Sequence, residues 1–124
     1  MGLDNGLEVR SKNGKIQQLI ESYSIDGCNY VYWRSWYNLR DKILDILSRD
    51  GIDANASNVE LSINHIREIL KLFEHLNRRT WKETHWEYKD CKWGIRKSKK
   101  ALRRLIKLLK KYPNQIEVTF YDSY

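Results

Sequence analysis

Between Lys92 and Tyr112 small and apolar residues recur at three- and four-residue steps: Ile95, Ser98, Leu102, Leu105, Ile106 and Leu109. That period lines up one face of an α-helix, and the face is core. The remaining positions include Arg96, Lys97, Lys99, Lys100, Arg103, Arg104, Lys107, Lys110 and Lys111, which fill the opposite half of the wheel at about 100° per residue. No acid interrupts them. A solvated helix ordinarily mixes signs so that Glu and Lys four apart support each other, whereas this one stacks like charges at that spacing. The repulsion it tolerates points to an anionic partner.

The charge of the whole chain is set there. Residues 1–90 carry 13 Lys/Arg against 14 Asp/Glu, while residues 91–124 carry 10 against 2, so the surplus of +7 lies entirely in the last quarter. A clustered surplus attracts nucleic acid or another polyanion more strongly than scattered charge does. At 124 residues the chain is expected to be a single domain, 1–124, with one modest core. Abundant Trp and Tyr beside a lone Pro113 exclude a disordered tail. No secretory leader is expected, and Cys28 and Cys91 are expected to be reduced thiols in a cytoplasm. No run approaches the roughly 18 apolar residues of a membrane span. Gly6 stands where a myristoylation signal needs Ser or Thr.

Along the chain, Leu7 and Val9 alternate with Glu8 and Arg10 ahead of Asn13-Gly14, the pattern of a strand entering a hairpin turn. The return arm, from Lys15, fits a short helix or an irregular strand, because Ile16, Leu19, Ile20 and Tyr23 also keep helical spacing. Asp26-Gly27 is a turn, and Cys28 to Trp33 suits an extended segment. Ser35 then caps a helix whose face is Trp36, Leu39, Ile43, Ile46 and Leu47, with Arg40, Asp41, Lys42, Asp45 and Arg49 on the wet side, ending at Asp50-Gly51. A polar loop, 53–58, leads to extended Val59-Glu60-Leu61. Ser62 caps a second helix with the stripe Ile66, Ile69, Leu70, Phe73 and Leu76. From Arg79 to Trp93 the period is lost, and a loop anchored by Trp81, Trp86, Tyr88 and Trp93 is expected. Pro113-Asn114 breaks the basic helix, and Ile116, Val118 and Phe120 alternate as a terminal strand that pairs most simply with the amino-terminal one. The predicted class is α+β, with about three helices packed on one face of a small antiparallel sheet.

Catalytic chemistry finds little support in these patterns. Metal binding wants ligands at CxxC or HxxxH spacing, and His75, His85, Cys28 and Cys91 would have to be gathered by the fold. Cys91 beside Lys92, with His85 six residues earlier, is a weak nucleophile candidate. No glycine loop precedes a Lys-Ser or Lys-Thr at phosphate-cradling distance. A Mg²⁺ nuclease needs clustered carboxylates, but the basic quarter holds only Glu117 and Asp122. No enzyme activity, cofactor or metal is expected. Trp33, Trp36 and Phe73 sit on apolar faces and belong to the core. Trp81, Trp86 and Tyr88 lie in polar sequence beside the basic helix. There they either stack on unpaired bases and anchor an interface, or fold back to close the core.

Met1-Gly2-Leu3-Asp4, Tyr32-Trp33-Arg34 entering a helix, Val59-Glu60-Leu61-Ser62 and the closing aromatic strand resemble a family of small uncharacterised proteins encoded by phages and prophages. The family usually opens Met-Gly-Leu-Asp-Met-Tyr-Leu; here Asn5-Gly6 replaces Met-Tyr, and residues 81–93 replace a Pro- and Phe-rich central loop. The resemblance implies a phage-side accessory protein and carries no established reaction. It also singles out Asp4 as a carboxylate to consider, against an ordinary role in a cap or turn. Joined to the charge, it leads to an expected non-enzymatic inhibitor of a bacterial defence system, of the anti-CRISPR type. Such a protein would act in the host cytoplasm and dock on a protein–RNA effector through the basic helix and the aromatic loop. A general nucleic-acid-binding protein is the alternative, and a small nuclease a more distant one.

Overall fold

The computed structural model of the chain describes residues 4–24, 30–34, 37–53, 58–75 and 88–123. Along them run β1 (Asp4–Arg10), α1 (Gly14–Tyr23), β2 (Val31–Arg34), α2 (Tyr37–Arg49), β3 (Asn58–Glu60), α3 (Ile63–His75), α4 (Tyr88–Lys111) and β4 (Glu117–Ser123). The strands form one antiparallel sheet in the order β2-β1-β4-β3. The class is α+β, as the alternation of patterns predicts.

β1 and β4 form the centre of the sheet, so the terminal strand does pair with the amino-terminal one. Leu7 stands opposite Phe120 and Val9 opposite Val118, while Leu7 meets Val31 on its other side. Because side chains alternate with a period of two, Leu7, Val9, Val31, Trp33, Val118 and Phe120 share a face, and all six are buried. They join one cluster with Ile16 and Ile20 of α1, Ile43 and Leu47 of α2, Ile66, Ile69 and Phe73 of α3, and Leu102 and Leu105 of α4. The helices cover that face. On the opposite face Tyr32 remains 39% exposed.

Three expectations need correction. Asn13-Gly14 makes no hairpin turn: Asn13 is extended, at φ −82° and ψ 120°, and its side chain accepts from the Lys15 and Ile16 amides as the N-cap of α1. Asn is equally suited to a turn and to a cap, and burial of Ile16 and Ile20 on a helical stripe decides between them. The described residues therefore hold four helices rather than about three. Finally, α4 begins at Tyr88, so residues 88–93, expected in a loop, are helical. No Gly or Pro lies between Tyr88 and Trp93, and extending a nucleated helix is far easier than starting one.

The ends of the elements follow local chemistry. Gly51 takes φ +76° after α2, a conformation that glycine adopts without a Cβ clash. Pro113 follows α4, and Asn114 turns at φ 64° before the chain enters β4. Ser35 and Trp36, Leu76, and the turn and loop residues 25–29 and 54–57 lie outside the described residues.

Candidate nucleic-acid interface

The orientation of α4 is set from its buried side. The Trp33 indole Nε1 donates to the Ser98 hydroxyl at 3.0 Å, and the Tyr30 hydroxyl donates to the Ala101 carbonyl. Trp33 also packs against Phe73 of α3, with ring centroids 5.4 Å apart. Small residues at positions 98 and 101 let these two large side chains reach the helix. Burial pushes the Tyr30 hydroxyl well above the usual phenol range, with Arg104 opposing and Tyr23 reinforcing the shift.

Ile95, Ser98, Ala101, Leu102, Leu105 and Leu108 are buried, while Ile106 and Leu109 are half-buried. The apolar stripe is thus centred nearer Ala101 and Leu108 than the spacing alone predicts. With that face fixed, Arg96, Lys97, Lys100, Arg103, Lys107, Lys110 and Lys111 are exposed, and Lys99 and Arg104 half-buried. Arg96, Lys100, Arg103, Lys107 and Lys110 follow one another at steps of three or four, a row of about 21 Å at 1.5 Å per residue.

The cations of this set differ in what they touch. Arg104 stacks on the Tyr23 ring, 4.9 Å from its centroid, and so ties α1 to α4. Lys111 lies 5.3 Å from the Tyr112 centroid, and Arg103 Nη2 is 3.7 Å from Glu74 Oε1 on α3. Among the described residues no carboxylate pairs with Arg96, Lys100, Lys107 or Lys110. The outer face of α4 is a rod of positive charge that can meet a row of phosphates or carboxylates. The aromatic half of the expected site lies outside the described residues: Trp81 and Trp86 entirely, and Tyr88, the first residue of α4, in its side chain.

Two polar clusters have no counterpart in the sequence patterns. Arg40, expected on the wet side of α2, donates from Nε and Nη2 to the two Asp122 carboxylate oxygens at 2.8 Å each, with the Asp122 side chain fully buried. Asn5 stands opposite Asp122 in the sheet, also buried, and among the described residues neither end of its amide has a hydrogen-bond partner. Asp122 is thereby committed to an ion pair, while Asp4 is the first residue of β1, in register with Arg34 and Ser123.

The second cluster joins Ser62, His65 and Asp50. Ser62 Oγ lies 3.2 Å from His65 Nδ1, and His65 Nε2 lies 2.6 Å from Asp50 Oδ2. That order matches a nucleophile, base and orienting acid. The Ser62 amide also donates to Nδ1 at 3.1 Å, which occupies the lone pair that a base would need, and His65 N–H returns a 3.4 Å contact to Ser62 Oγ. The arrangement is a reciprocal cap of α3, with His65 in the place that Glu or Gln takes in a capping box. The spacing Ser62-x-x-His65 was the available signal. Among the described residues no three His, Cys, Asp or Glu side chains gather as metal ligands; Cys28 and His85 lie outside those residues, as does the side chain of Cys91.

Comparison with protein-family models, with curated proteins and with solved structures returns no match to this chain. Among the described residues no helix is long and apolar enough to cross a membrane.

Proposed function

We propose that this protein acts by binding rather than by catalysis, seating the outer face of α4 on the phosphate backbone of an RNA-containing partner. The observation that carries this is the row Arg96, Lys100, Lys107 and Lys110, exposed and without a carboxylate among the described residues, on a helix held at fixed rotation by Trp33 and Tyr30. Rows of cations on a rigid rod neutralise successive phosphates and release their counterions, which supplies affinity without sequence reading. The resemblance of its short motifs to those of phage proteins supports a setting in the cytoplasm of an infected bacterium, with the partner a defence effector and the protein its inhibitor, of the anti-CRISPR type. The general nucleic-acid binder is the second reading, favoured by the same row.

The test is capture from host lysate on immobilised protein, with and without nuclease. The inhibitor reading expects a defence effector to be retained together with its guide RNA, protected from the nuclease. Loss of every captured component on nuclease treatment would leave the general binder, and capture of no RNA in either arm would contradict both.

A further inference from the structure

The row on α4 is even in sequence but uneven in charge. Arg96 and Lys100 form one end and Lys107 and Lys110 the other, and among the described residues Arg103 between them is the member that faces an acid of this same chain. Glu74 lies in the last turn of α3, and the packing of α3 on α4 carries it to the middle of the row. Both side chains are open to solvent, Arg103 at 56% and Glu74 at 43%, so a ligand can reach either. An exposed pair of this kind adds little to folding, and its partners exchange readily. The guanidinium fork suits a phosphate at least as well as a carboxylate, because both offer two oxygens at its spacing.

Resting on the nucleic-acid reading above, we propose that Glu74 is a built-in competitor for Arg103, held there in the unbound protein and displaced by a backbone phosphate when RNA binds. A ligand that reaches only one end of the row meets two cations and leaves the Arg103–Glu74 pair closed. A continuous phosphate backbone bridges both ends and can displace Glu74 between them. The contact therefore raises the threshold against short or sparse anions and selects a polyanion.

A cycle of Glu74→Gln, Arg103→Gln and the double variant tests this, with a labelled single-stranded RNA as probe, affinities read across a salt series and thermal midpoints as the folding control. Glu74→Gln is expected to bind about two- to fivefold more tightly than the parent. The slope of log affinity against log salt should stay that of the parent, because Arg103 meets a phosphate in both complexes. In the Arg103→Gln background the same change should leave the affinity as it was. Equal affinity for parent and Glu74→Gln would overturn the competitor while leaving the binding reading intact, and so would a gain in affinity that persists without Arg103. Absence of salt-dependent binding by both proteins would overturn the binding reading and the competitor with it.

Discussion

Arg40 and Asp122 meet from positions 82 residues apart, and the carboxylate has no exposure at all. Breaking such a pair leaves one charge buried alone, so Arg40→Leu is expected to lower stability by roughly 3–5 kcal/mol, and adding Asp122→Leu to it should recover most of the loss. An Arg40→Leu variant with the parent's denaturation midpoint would show that the pair is not closed in solution. Tyr30 makes a different kind of demand. Burial disfavours its phenolate, so its folded pKa lies above the unfolded value near pH 10, and its contribution is complete below that pH and lost as the pH rises beyond it. Stability measured by denaturant from about pH 9 to 12 should fall less steeply in Tyr30→Phe than in the parent. Parallel curves would mean that Tyr30 is hydrated.

At the scale of the elements, β4 closes the sheet and its inward face is structural. Phe120, fully buried between Leu7 and Val59 in register, should cost about 3–5 kcal/mol when cut to Ala, and an unchanged thermal midpoint would refute the face assignment. β4, α3 and α4 were legible in the sequence because each repeats apolar residues at the period of its own geometry: Val118 and Phe120 at two, Ile66, Ile69 and Phe73 at three and four, Leu102 and Leu105 likewise. α1 was ambiguous, since Asn13 serves turns and caps through the same short amide. The start of α4 was hidden because aromatic and charged residues between Tyr88 and Trp93 show no stripe, while helix propagation needs none. The cations of the candidate site could be read directly from the sequence. Their differences could not: Arg104 on Tyr23 and Arg103 beside Glu74 are contacts between distant segments, and no local pattern reports them.

For the whole molecule, the fold separates its two surfaces. The sheet turns one face to the helices and leaves the other carrying Tyr32 outward, while α4, on the helical side, presents the concentrated cations. A field of one sign on one side steers an extended polyanion towards that side and away from the rest. The proposed binding depends on contact between the exposed cations of α4 and phosphates. It is tested most directly by the salt dependence of RNA binding in a variant with Lys100, Lys107 and Lys110 all changed to Glu. These three are exposed and outside the buried stripe, and Arg103 is left in place because of its contact with Glu74. The variant should keep the parent's thermal midpoint and bind single-stranded RNA much more weakly. Its slope of log affinity against log salt should be shallower by about two units, three phosphate contacts at roughly 0.7 each. A variant that binds RNA with the parent's affinity and the parent's slope would contradict it.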